Sequence, residues 1–132
     1  MDVQLNPPPT PAAVKADTRQ AAQALGKLLR QTPEYAAFLS ALKAVNGDLT
    51  VQKLGAQMRS HQQALQWGRD GDGQHAAELA RLELEMENLP VVKEYRQAET
   101  EAQQLFRAVD ETISQEAGVT FAVNAKRGGC CG

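Results

Sequence analysis

The chain has 132 residues, a formal net charge of −2 and a pI near 5.7, with 42% apolar residues but only 5% aromatic ones. That is enough length for one domain with its own core. The charge balance argues against the concentrated cationic face that direct nucleic-acid binding requires, and the apolar runs are too short to span a bilayer. Met1-Asp2 leads into Pro7-Pro8-Pro9 without the cationic start and apolar middle of a secretory signal, so the cytoplasm is the expected compartment.

Alanine fills 21 positions, and with Leu, Gln and Glu it favours helix, while β-branched residues are sparse. Small side chains suit helices packed closely side by side. The expected class is all-α, with about five helices in antiparallel hairpins or a bundle.

Residues 1–10 form a proline-rich leader with little apolar surface to bury, expected to be disordered. The first helix is predicted from about Pro11 to Gln31 with Thr10 as N-cap, and its apolar stripe is Val14, Thr18, Ala21, Leu25 and Leu28. The second starts at Pro33 and carries Tyr35, Phe38, Leu42 and Val45. Asn46-Gly47-Asp48 is a turn signal, and Asp48 or Thr50 can cap a third helix bearing Val51, Leu54, Met58, His61 and Leu65. Gly68-Arg69-Asp70-Gly71-Asp72-Gly73 reads as a loop, because its three glycines forfeit helical order. A fourth helix presents Ala76, Leu79, Leu82, Met86 and Leu89. The fifth opens at Pro90 with Val91, Tyr95, Ala98, Ala102, Leu105, Val109 and Ile113, and stops at Ala117-Gly118. The helical domain thus covers residues 11–117. A flexible tail, 118–132, holds a short apolar segment at Val119–Val123, a candidate docking strap, and ends in Cys130-Cys131-Gly132.

One phrase occurs twice. Pro33, Phe38 and Ala41 are echoed by Pro90, Tyr95 and Ala98, each 57 positions later. Proline suits a first helical turn, where its missing N–H has no partner to lose. The ring and the alanine three residues beyond it share one helical face. Every helix shows a narrow seam spaced three and four, the pattern of rods that pack on rods. The last helix is too long for one hairpin to cover its seam, so self-association or pairing with a similar chain is expected. Trp67, the only tryptophan, sits at a helix end beside Gly68 and reads as a hairpin-tip packing residue or an interface anchor. Tyr35, Phe38, Tyr95, Leu105, Phe106 and Val109 are the other interface candidates.

Chemistry is thinly represented. Cys130 and Cys131 stand at a glycine-flanked end where packing does not explain them. Thiolates ligate zinc or iron–sulfur clusters, but such sites usually take four protein ligands, so a second pair would have to come from another chain. Free thiols without a task are the equal alternative, and a disulfide between neighbours would be strained. No CaaX ending supports prenylation. His61 lies on the seam and is expected to be satisfied by a nearby carboxylate or carbonyl; His75 is expected on the surface at a helix start. Asp70-Gly71-Asp72-Gly73 fails the EF-hand pattern, with His75 where glycine belongs and Arg81 at the twelfth place. Glu83, Glu85 and Glu87 fan around a helix, and Asp110-Glu111 and Glu99-x-Glu101 read as ordinary surface charge. Ser40, Ser60 and Ser114 lack a nucleophile turn, and no paired acids share a pocket, so an enzyme is not expected.

The phrases Leu25-Gly26-x-x-Leu29-x-x-Thr32-Pro33-Glu34-Tyr35-x-x-Phe38-x-x-Ala41, Asp48 ahead of Leu54, and Leu89-Pro90-x-Val92-x-x-Tyr95-x-x-Ala98-Glu99 together resemble the YlbF/YmcA family of small bacterial regulators. The resemblance runs from about Ala21 to Ile113. It implies an all-α fold that forms a homodimer or pairs with a paralogue, and a non-catalytic part in regulating competence, sporulation or biofilm formation. It also implies a protein partner in a regulatory complex linked to iron–sulfur clusters and flavin, which influences RNA processing. The chain departs from the family pattern in its proline-rich leader, in His61-Gln62, and in its terminal cysteines. The leading expectation is a helical adaptor acting through oligomeric assembly. The alternative is a thiol carrier whose Cys130 and Cys131 hold a cluster or zinc shared between chains.

Overall fold

A computed structural model describes Pro8 and residues 10–120 and contains five helices: α1 (Pro11–Arg30), α2 (Pro33–Gly47), α3 (Leu49–Gln66), α4 (Gln74–Asn88) and α5 (Pro90–Ala117). There is no strand among the described residues. The all-α expectation holds, and each helix boundary falls within a residue or two of its predicted place. Cys130, Cys131, nearly all of the proline-rich leader and most of the Val119–Val123 segment lie outside the described residues.

The breaks between helices are short and chemically specified. The Thr32 hydroxyl donates to the Leu29 carbonyl (2.6 Å) and accepts from the Tyr35 N–H (3.3 Å), so one side chain ends α1 and caps α2. Asp48 is the only residue between α2 and α3, and its carboxylate accepts the Val51 N–H at 2.9 Å. Leu89 alone separates α4 from α5, with Pro90 in the first turn where no N–H is missed. Only the α3–α4 link is a true loop. Gly68 enters it at φ 67°, closing α3 with its N–H on the Leu65 carbonyl and the Arg69 N–H on that of Ala64.

Two bent rods result, α2–α3 and α4–α5, folded against each other. α3 packs on α4 and α2 on α5. Val51 and Gly55 near the start of α3 share a groove with Met86 near the end of α4, while His61 meets His75 at the other end, so this pair is antiparallel. Val45 and Asn46 line the same groove beside Met86, which places the end of α2 next to the start of α5. The second pair is therefore antiparallel as well.

The seams predicted for α2, α3 and α4 face inward almost without exception. Among the described residues the buried apolar side chains are Leu54, Leu82, Val92, Ala98 and Ala102, with Leu82 only 2% exposed. The seam of α5 begins one residue later than its periodicity suggests. Val92 is buried and Val91 half-buried, because the first turn of α5 is flanked by both α4 and α2. No residue of α1 is buried, and among the described helices α1 packs along α2 alone.

Candidate interaction surface

The repeated phrase turns out to meet itself. The rings of Phe38 and Tyr95 lie 5.8 Å apart at 37°, the tilted geometry aromatic pairs favour. Beyond them, Ala37, Ser40, Ala41 and Ala44 of α2 face Glu94, Gln97, Ala98 and Glu101 of α5 across a shallow groove of about 370 Å³. Small side chains at Ala41 and Ala98 bring the two backbones together, as the alanine content implies. Of the interface candidates, Tyr35, Phe38 and Tyr95 are half-buried here within the single chain.

Arg96 closes the outer side of this seam. It binds Glu87 across the Leu89-Pro90 break at 2.9 Å and Glu99 one turn along at 3.3 Å, and its guanidinium stands 5.8 Å from the Tyr95 ring. The hydrogen bond from Arg96 holds the Glu87 carboxyl below the usual carboxylate range, and Glu87, then Glu99, push Arg96 up. Arg81 similarly bridges Glu78 and Glu85 along α4. Two of the three alternating glutamates, Glu85 and Glu87, are thus held by arginines, on α4 itself and across to α5.

The second half of α5 differs. Past Ala102 it outruns α2, and Leu105, Val109 and Ile113 are only half-buried while Phe106 is 43% exposed. Leu25 of α1 faces Ala108, Val109, Thr112 and Ile113 across an almost wholly apolar cleft of about 300 Å³. Along α1 the stripe continues into Val14 at 45% and Leu28 at 62% exposure. An aliphatic stripe of this continuity on an otherwise charged helix marks a contact face. Asp110, expected as ordinary surface charge, is instead half-buried on this segment, with its Oδ1 covered and without a hydrogen-bond partner among the described residues.

At the opposite end of the rods, the α3–α4 tip carries the histidines. His61 is not satisfied by a carboxylate or carbonyl: its Nδ1 stands 2.9 Å from Nδ1 of His75, with ring centroids 5.2 Å apart. His75 is correspondingly half-buried rather than a surface residue. Seam spacing places His61 inward but is blind to which residue of α4 the loop returns opposite it. The loop carboxylates accept N–H groups of the first turn of α4, whose N-cap is Gly73. Asp70 accepts the His75 N–H at 2.8 Å and Asp72 that of Gln74 at 3.3 Å, which occupies them in the way the rejected calcium reading would not. Trp67 is 74% exposed beside them, so it does not pack the tip.

Among the described residues, no group of three or more His, Cys, Asp or Glu could hold a metal ion, and no helix is long and apolar enough to cross a membrane. The family model described as "Control of competence regulator ComK, YlbF/YmcA" matches residues 19–116. No curated protein matches the chain.

Proposed function

Because this chain belongs to the YlbF/YmcA family of competence-control regulators, we propose that it is a non-catalytic adaptor that regulates by assembling with a second copy of itself or a related chain through the open α1–α5 face. The single observation that carries this reading is the incompletely covered apolar stripe of α1, with Val14 and Leu28 exposed and Leu25 half-buried opposite Val109 and Ile113. Rods of this kind bury such stripes against other rods, and burying apolar surface is the main driving force for doing so. Covering the face would also enclose Asp110, which then needs a donor from the partner.

Regulation would work through that assembly, not through turnover. A cell in which the native gene is replaced by the Val109→Asp variant tests it. If the variant accumulates and is helical by circular dichroism yet reproduces the regulatory phenotype of a deletion, assembly through this face is required. Full regulatory function from such a variant would contradict the proposal.

A further inference from the structure

We propose that His61 and His75 form a two-imidazole site for a late first-row divalent metal ion, of the Ni(II) or Cu(II) type, that clips α3 to α4 at the hairpin tip. This site is independent of the adaptor reading and of the terminal cysteines. The rings come from different helices and present Nδ1 to Nδ1 at 2.9 Å. A metal–imidazole bond is about 2.0–2.1 Å, so donors this far apart subtend about 90° at a shared ion. That is the angle between neighbouring ligands in square-planar and octahedral fields, which suit Cu(II) and Ni(II), and it is narrower than the tetrahedral angle of a structural zinc site.

The surroundings can take an ion and its remaining waters. A cleft of about 300 Å³ opens beside His75, lined by Ser60, Gln63, Trp67 and Arg69. The Ser60 hydroxyl and the Gln63 amide can hydrogen-bond metal-bound water. Asp70, whose carboxylate accepts the His75 N–H at 2.8 Å, places a negative charge at the same end. No third His, Cys, Asp or Glu among the described residues completes a cage, so water fills the other positions and the ion is exchangeable. Without metal, one ring donates its Nδ1 proton to the other. On binding, that proton moves to Nε2 of the same ring, both Nδ1 lone pairs turn to the ion, and two coordinated waters leave. No net proton is released.

The chain provides its own reporter, since Trp67, its only tryptophan, borders the same cleft. The test is a Ni(II) titration of the full chain carrying Cys130→Ser and Cys131→Ser, which removes the competing thiols. Expected are saturable quenching of Trp67 fluorescence and a rise in Tm that EDTA reverses. Adding His61→Gln or His75→Gln should weaken binding more than the roughly tenfold to hundredfold that losing an outer-shell partner of a metal ligand costs. Quenching and Tm rise that persist unchanged in both histidine variants would overturn the proposal, as would the absence of both effects. Should either variant lose helix, proton NMR of the Cys→Ser chain decides. His61 and His75 are its only histidines, and their ring signals should broaden first on adding Ni(II); broadening that begins elsewhere refutes the site.

Discussion

In the α3–α4 hairpin, Leu54 and Leu82 lose nearly all contact with water, whereas Val14 and Leu28 of α1, on a stripe of the same three–four spacing, keep 45% and 62% of their exposure. Composition does not separate the two regions. What separates them is the presence of a second rod at the right distance. A seven-residue loop returns α4 against α3, and α5 against α2 follows from it, but among the described residues no helix beyond α2 packs closely along α1, and only the cleft at Leu25 brings α5 near it. A seam therefore reports that a helix wants a neighbour, and only the connections decide whether that neighbour is in the same chain.

The comparison breaks most visibly at the closed seam. Leu82→Ala should destabilise the fold by about 2–5 kcal/mol through a cavity that rigid neighbours cannot fill, read as a lowered midpoint in urea. A loss below about 1 kcal/mol would mean that the hairpin is not the core. Ala98→Leu tests the close approach of α2 and α5 from the other direction. Overpacking there should cost about 1–3 kcal/mol, and the same change at Ala24, an exposed position on α1, should be near neutral.

A smaller effect belongs to the Arg96 staple. Arg96→Ala should cost no more than about 0.5–1 kcal/mol, because its ion pairs with Glu87 and Glu99 are about half exposed, and added salt should shrink the difference. Glu87 titrates below its ordinary value of 4.5 in the folded chain, so its contribution is complete above that pH and fades as the pH falls through the folded value. Urea midpoints of parent and variant should therefore converge in acid below about pH 4.5. Equal spacing of the two curves from pH 7 down to pH 3 would show that the pair contributes nothing of this kind. Smallest of all, Trp67→Ala should leave stability within about 0.5 kcal/mol, since the ring is 74% exposed.

Helix number, boundaries and most inward faces were legible because they depend on signals within one helix: Pro33 and Pro90 at first turns, Thr10 and Asp48 as caps, and apolar side chains at spacings of three and four. Contacts between helices were not. That Phe38 would face Tyr95, that His61 would find His75, and that Arg96 would reach back to Glu87 depend on where each break aims the following rod, which periodicity does not encode. The one-residue shift from Val91 to Val92 has the same origin, since it arises where three helices converge. Asp110 was misread because a carboxylate on a long helix looks solvated until the third dimension covers it. The interface candidates Leu105, Phe106 and Val109 rest on a length argument, that α5 has more seam than α2 can cover, and within the single chain Leu105 and Val109 stay half-buried and Phe106 exposed.

The central claim is that the α1–α5 face is completed by another chain, and sedimentation equilibrium of the full chain over a hundredfold range of concentration tests it most directly. A dimer or larger assembly is predicted, converted to a folded monomer by Leu28→Asp together with Val109→Asp. A parent chain that stays monomeric throughout, or an assembly that both aspartates leave intact, would contradict it.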